Sequence, residues 1–471
     1  MPDTDELAAG PVALNEAERS RRVSEAGPAV RALGDAGVSA VALCWIDNAG
    51  ITRVKTVPVG RFERTAGWGV GMTPVFDVFL VNDDITTSKH INGPAGDLRL
   101  IPDLGRLTVL AGQPGWAFVP VDRYTQQGRV YAGCQRSFAR RMSDAAREQG
   151  LELRMSVEVE WALGIEEHRE FRPACSGPAY GMTRVIELSD YSRDLMRALE
   201  SQGLTVEQFH PEYAAGQLEI SVATSDPVGA ADDSVLVRQT IRAVSAQHGL
   251  QASFAPAVVA RTVGNGGHVH LSLWRGGQNL LAGGPGRHGL TADGEAFASG
   301  ILTELPALCA IGAPSVASYL RLVPSHWAGA YQCWGLENRE AALRLVTGSE
   351  GEQHERANIE IKCFDLAANP YLVTGALIAA GLTGLRSGAT LPPETTGDPA
   401  DLAPLELDRQ GIRRLPQSLP EAVSHLENSA VLREAMGDPL TEAFLAVRRA
   451  EDQLFADISA EEIVAQTRWR W

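Results

Sequence analysis

The segment Ser156-Val157-Glu158-Val159-Glu160-Trp161 constrains the fold of this chain more than any other. It reads as a strand, and alternation along a strand puts Glu158 and Glu160 on one face, opposite Val157 and Val159. A second pair lies in His210-Pro211-Glu212-Tyr213-Ala214-Ala215-Gly216-Gln217-Leu218-Glu219-Ile220. A two-residue turn at Ala215-Gly216 predicts Glu212 directly across from Glu219. Like charges that face each other are unfavourable unless a cation sits between them.

Two further strand-like segments carry polar groups on one face. Gly264-Asn265-Gly266-Gly267-His268-Val269-His270-Leu271-Ser272 is a glycine-rich approach to a strand, and Ile359-Glu360-Ile361-Lys362 is the other. Together these segments supply five glutamates and His268. Oxygen-rich sets of this kind suit Mg²⁺ or Mn²⁺ rather than zinc. Five carboxylates cluster stably only if about two divalent cations largely offset them, the arrangement that phosphoryl transfer uses. Cationic partners stand in Tyr319-Leu320-Arg321-Leu322-Val323-Pro324 and Glu337-Asn338-Arg339-Glu340-Ala341-Ala342-Leu343-Arg344. Arginine forks grip carboxylate and phosphate oxygens. Singly, each element has an ordinary structural reading; the whole set in order carries the argument.

With 471 residues the chain is expected to divide into two or three domains. Val38 to Ile46, a turn at Asp47-Asn48-Ala49-Gly50 and Ile51 to Val59 read as a hairpin in a small sheet domain over 27–125, and residues before about Ala26 read as a polar, frayed start followed by a helix over Pro28 to Ala36. Residues 126–471 read as a larger α+β domain that is mainly helical from about 417. The net charge of −16 argues against a nucleic-acid partner. The six cysteines are scattered with no C-x-x-C. The start lacks a signal-peptide pattern, and the apolar run Tyr371 to Leu385 is too short to span a bilayer, so a cytoplasmic protein without a membrane partner is expected. Walker-type, zinc-protease and serine-hydrolase motifs are missing, and Gly284-Pro285-Gly286-Arg287-His288-Gly289 reads as a surface turn.

The order Glu158-x-Glu160, Glu212 to Glu219, His268-x-His270, Arg321, Asn338-Arg339, Arg344, Glu360 and Asp365-Leu366-Ala367-Ala368-Asn369-Pro370-Tyr371 closely resembles the glutamine synthetase family. The resemblance runs from about Val38 to the C-terminus. It implies an α+β fold: a small β-grasp-like N-terminal domain and a large catalytic domain with a curved antiparallel sheet and helices. It also implies assembly of the bacterial type into two stacked hexameric rings, a dodecamer, with each active site between neighbouring subunits. On that model Glu160, Glu212 and Glu219 hold one metal and Glu158, His268 and Glu360 the other. His270 and Ser272 contact ATP, Arg339 and Arg344 its phosphates, and Arg321 and the backbone of Gly264 the glutamate. The implied reaction transfers the ATP γ-phosphoryl group to the glutamate side chain, and an amine attacks the acyl phosphate while Asp47 helps deprotonate it.

Two departures bear on the acceptor. After Arg-Leu-Val-Pro the family's flap carries a glutamate that closes on ammonium; here the segment is Ser325-His326-Trp327-Ala328-Gly329, with Trp327 in that place. Tryptophan offers an aromatic face suited to an alkyl amine or a cation-π contact. Lys362 stands where the family pattern has an arginine on substrate carboxylate, and a lysine is a point charge without the fork. These features resemble the γ-glutamylpolyamine and γ-glutamylamide synthetase branch, so a polyamine is the expected acceptor. The alternatives are a glutamine synthetase using ammonium and a non-catalytic structural or regulatory relative.

Overall fold

The computed structural model describes residues 8–471; the opening residues 1–7, part of the polar start discussed above, lie outside the described residues. Among the described residues the strands form sheets of eight, five and seven.

The eight-stranded sheet lies towards the N-terminus. Ala40–Ile46 pairs antiparallel with Thr52–Pro58, as the Asp47-Asn48-Ala49-Gly50 turn predicts, and parallel with Trp116–Thr125. Val41, Leu43 and Trp45 alternate into a core shared with Phe62, Leu100 and Val119. The short strand Arg129–Tyr131 still belongs to this sheet, paired with Ala8–Val12 and with Trp116–Thr125. The helix expected over Pro28 to Ala36 is longer and spans Glu16–Asp35, with Pro28 inside it. Asn15 caps it by accepting from the Glu18 N–H at 2.9 Å. Arg19 and Arg22 fasten it through Gly67 O and Ala66 O, each at 2.9 Å. Tertiary hydrogen bonds thus order a stretch whose polar composition alone suggests fraying.

Arginine–aspartate contacts lock this sheet to the rest of the chain. From helix Gln135–Glu148, Arg136 reaches Asp103 at 2.7 Å and Asp122 at 3.0 Å, both in the N-terminal portion, and Asp232 at 2.8 Å in helix Pro227–Gln247.

Beyond it, helices Ala292–Gly312 and Pro370–Ser387 cross in the main core. Gly300 makes the close approach possible, since a Cβ there would stand 2.8 Å from Gly384 Cα. Ala292–Gly312 is long and apolar enough to cross a membrane by length and composition, yet 78% of its most apolar window is buried inside the protein.

The five- and seven-stranded sheets meet at Glu158. The single strand read over Ser156 to Trp161 is divided there: Glu152–Val157 pairs with Val269–Arg275 in one sheet, and Val159–Glu167 pairs with Gln217–Val222 in the other. Most pairings are antiparallel. An exception is Tyr331–Leu336 beside Ala341–Val346, parallel strands joined by only residues 337–340. Parallel neighbours ordinarily need a dozen or more linking residues. Here Glu337 adopts φ 49°, and Asn338 Nδ2 donates to Thr395 O and Gly397 O at 2.9 and 3.0 Å, pinning the return segment that bears Arg339 and Glu340.

Candidate active site

Strand register brings the sequence-predicted residues together. In the five-stranded sheet His210, Glu219 and Glu160 lie side by side on successive strands. In the seven-stranded sheet His270, Glu360 and Arg344 do the same. Glu158 joins the two rows, its N–H donating to His268 O at 2.9 Å.

The hairpin differs by register from its sequence-based expectation. Glu212 N–H donates to Gln217 O at 2.8 Å, so Glu212 faces Gln217, and His210 faces Glu219. Arg184 explains the longer turn: Nη1 donates to Glu212 O and Ala214 O at 2.6 and 2.7 Å and Nη2 to Tyr213 O at 3.2 Å, holding the loop open from outside. Glu212 still reaches the cluster at its edge, with its Oε1 3.6 Å from His210 Nδ1.

His268 is the hub. Its Nδ1 lies 3.2 Å from Glu158 Oε2 and 3.4 Å from Glu360 Oε1, while Nε2 is 3.6 Å from Glu160 Oε1 and accepts from Arg321 Nη2 at 3.1 Å. His270 Nε2 stands 3.2 Å from the other oxygen of Glu158. Glu360 also meets Lys362 Nζ at 3.0 Å and Arg344 Nη1 at 2.9 Å. Glu160 accepts from Gly266 N–H at 2.8 Å and Gln217 Nε2 at 2.9 Å, and a Cβ on Gly266 would run into His268, Glu160 and Arg321. Only glycine leaves that cradle open.

Charge follows this geometry. Burial opposes ionisation of Glu158, but His270 and His268 outweigh it and hold the carboxyl well below its usual range. Burial likewise works against Glu360, which Lys362 and the histidines nonetheless hold at about 2. His270 is raised to about 9 because Glu158 overcomes its desolvation. Burial, then the facing Glu158, pushes Glu219 up to about 8.

These residues fit divalent cations. Ligand atoms of Glu158, His270 and Glu360, of Glu158, Glu219 and His268, and of His210, Glu212 and Glu219 lie within 4.8 Å of one another in each group. Burial raises Glu219, and Glu219 in turn raises His210, 3.1 Å away, so a cation held by this pair displaces a proton, and affinity for Mg²⁺ or Mn²⁺ is expected to tighten as pH rises from acid towards about 8. Calorimetry in buffers of different ionisation enthalpy should show proton release on binding; pH-independent affinity without proton release would contradict this account.

A cavity of about 230 Å³ opens beside the cluster, bounded by Glu158, Ser221, His270, Ser272, Trp274 and Asn358. Ser272 Oγ accepts from Trp274 Nε1 at 2.8 Å, and the Arg154 guanidinium lies 3.9 Å over the Trp274 ring. Arg321 Nη1 is buried without a hydrogen-bond partner, and the Cβ and Cγ of the same side chain pack against Gly264.

Of the other predicted residues, Asp47 stands apart. Asp47 is buried and raised to about 6 by desolvation; its carboxylate bonds Arg53 Nε at 2.7 Å and the N–H groups of Ala49 and Ile51, none of them in the cluster. Arg339 and Trp327 are exposed. Three participants escape the sequence reading. His210 lies near the end of the strand Val206–Pro211, two residues before Glu212, a spacing visible in the sequence. Gln217 also orients Gly264 O, at 3.0 Å. Tyr180, whose hydroxyl donates to Glu212 at 2.7 Å, comes from a distant loop and leaves no local sign.

The glutamine synthetase catalytic-domain family model matches residues 132–465. The chain is 55% identical to gamma-glutamylpolyamine synthetase GlnA3 of Streptomyces coelicolor over 92% of this chain and 94% of that protein. Among solved structures, a novel glutamine synthase homolog superposes with TM-score 0.82 at 32% identity, covering 92% of this chain and 99% of that one. A GmaS/ADP complex gives TM-score 0.79 at 26% identity, covering 91% and 96%. The chain belongs to the glutamine synthetase family.

Proposed function

We propose that this protein is an ATP-dependent ligase that joins the side-chain carboxylate of glutamate to an amine, and that the amine is a polyamine. The observation that carries the acceptor is the 55% identity, over nearly the whole chain, to a gamma-glutamylpolyamine synthetase. Trp327 in the flap position points the same way, because an aromatic face receives an alkyl ammonium and supplies no carboxylate for ammonium.

Following the family resemblance, Glu158, His268 and Glu360 would hold one divalent cation, supported by His268 Nδ1 at 3.2 and 3.4 Å from the two carboxylates, and Glu160, Glu212 and Glu219 a second, although Glu160 falls in none of the three close ligand groups; His270 and Ser272 line the nucleotide cavity. Bound there, Mg²⁺ or Mn²⁺ offsets phosphate charge and polarises the transferring group. Arg321, whose Nη1 has no partner, would meet the glutamate α-carboxylate, while Lys362 is held by Glu360 at 3.0 Å and offers a point charge without a fork. A glutamate side-chain oxygen takes the γ-phosphoryl group as ADP leaves, with Arg344 and Arg339 carrying charge on the moving oxygens. The neutral amine attacks the acyl carbon, the C–O bond to phosphate breaks, and the amine proton passes to a carboxylate. The family resemblance assigns that role to Asp47; because its carboxylate meets Arg53, Ala49 and Ile51 and nothing of its own chain's cluster, we assign it to the site of a neighbouring copy in a ring assembly, which requires its turn to open there.

Phosphate release from ATP with glutamate, Mg²⁺ and a panel of putrescine, spermidine, spermine, ethanolamine and ammonium tests this reading. Turnover that requires a polyamine is expected. Turnover with ammonium alone would make the protein a glutamine synthetase, and none with any acceptor would favour a non-catalytic relative.

A further inference from the structure

The flap that has lost its ammonium-binding glutamate rests on another one. In Ser325-His326-Trp327-Ala328-Gly329, Ser325 and Trp327 take φ of 58° and 55°, and the tryptophan is 52% exposed. Behind it, Trp327 N–H donates to Glu340 Oε1 at 2.8 Å. The flap also lies directly on the site: a Cβ on Gly329 would stand 2.9 Å from Ala342 Cα and 3.0 Å from Lys362 Cβ. Alternation along the strand that follows puts Glu340, Ala342 and Arg344 on one side, and Arg344 ends on Glu360. Glu340 therefore occupies the space between the flap and the substrate end of the cluster.

Its charge lacks an answer in the chain. Glu340 is 7% exposed, and its Oε2 is buried without a hydrogen-bond partner. Desolvation raises its pKa, and Asp398 pushes it the same way. The Trp327 N–H, Lys362 and His326 oppose this, but the Lys362 Nζ is spent on Glu360 at 3.0 Å and none of them bonds Oε2. Asp398 itself accepts from Ser325 Oγ at 2.7 Å and Ala400 N–H at 2.9 Å. Among the described residues neither carboxylate forms an ion pair. A buried carboxylate with an idle oxygen is a strong acceptor for a cationic donor that arrives with the ligand.

We propose that Glu340 binds the second, non-reacting ammonium group of a diamine or polyamine acceptor, and so makes the site prefer these over monoamines. The inference rests on the proposed amine-ligase activity and deepens it. The attacking nitrogen must be neutral, whereas the far nitrogen stays protonated and brings up to three N–H donors. Glu340 Oε2 accepts one while Oε1 keeps the flap in place, and the Trp327 ring covers the methylene chain. Glu340 thus couples flap position to the presence of a second charge. An ammonium ion or monoamine has no group to make this contact.

The test compares putrescine with butylamine, equal in carbon count but lacking the second nitrogen, in wild type, Glu340→Gln and Glu340→Asp. Glutamine keeps an oxygen for the Trp327 N–H and removes the charge. Its kcat/KM for putrescine is expected to fall roughly 10- to 100-fold, the scale of one hydrogen bond to a charged group, with butylamine changing less than about threefold. Aspartate should recover part of the putrescine preference. Equal losses for the two amines would reduce Glu340 to a flap-positioning residue, and unchanged putrescine kinetics would remove it from the site; either overturns the inference while leaving the ligase reading intact. A wild type that uses ammonium and neither amine overturns both.

Discussion

Changing Glu360 to glutamine is expected to lower kcat about a thousandfold while leaving the secondary structure intact. The side chain is the buried meeting point of His268, Lys362 and Arg344 and belongs to one of the three groups able to hold a cation. Metal-borne charge stabilisation is worth several kcal/mol in phosphoryl transfer, and each ~1.4 kcal/mol is a factor of ten in rate. Glutamine preserves shape and still accepts from Arg344, so the loss isolates charge. Steady-state assays at several Mg²⁺ concentrations check this: a defect that persists at saturating metal is expected, and a kcat within a few-fold of wild type would remove Glu360 from the metal-binding set.

The largest effect on stability is expected at Arg136. It is 3% exposed and gathers Asp103, Asp122 and Asp232 from both sides of the boundary between the N-terminal sheet and the helical core. Alanine leaves Asp232 buried with Tyr371, which donates at 2.7 Å, and a longer contact to Arg106 at 3.3 Å. Breaking one partner out of a buried ionic group costs about 3–5 kcal/mol, because the remaining charges stay desolvated. Arg140→Ala serves as the control. Arg140 touches Asp122 and Asp103 as well but is 43% exposed, where screening reduces such contacts to about 0–1 kcal/mol. Chemical denaturation midpoints should separate the two variants clearly; similar midpoints would mean that Arg136 does not clamp the N-terminal sheet to the helical core.

What could be read from the sequence was local. The Asp47-Asn48-Ala49-Gly50 turn and its two strands are recovered because turn chemistry and β-propensity agree over a short span. The glutamates and histidines do lie near one another, but strand alternation explains only part of this, since Glu158, Glu212 and His268 stand just outside the strands that flank them. Pairing is where inference failed, since it depends on distant residues. Glu158 breaks its strand because Val269–Arg275 takes one half and Gln217–Val222 the other, and nothing near residue 158 encodes both partners. The hairpin register turns on Arg184, some thirty positions away, gripping the turn carbonyls. The flap shows the same limit: Trp327 marks a missing carboxylate in the sequence, and only the fold reveals that Glu340 lies beneath it.

The most direct test of the account is the product formed from glutamate, ATP, Mg²⁺ and putrescine, identified by mass spectrometry with glutamate labelled with ¹⁸O in its side-chain carboxylate. The account predicts a glutamate–putrescine amide together with one labelled oxygen in the released phosphate, because the acyl C–O bond breaks after phosphorylation of that oxygen. Glutamine formed from ammonium with no putrescine adduct, or phosphate free of label, would contradict it.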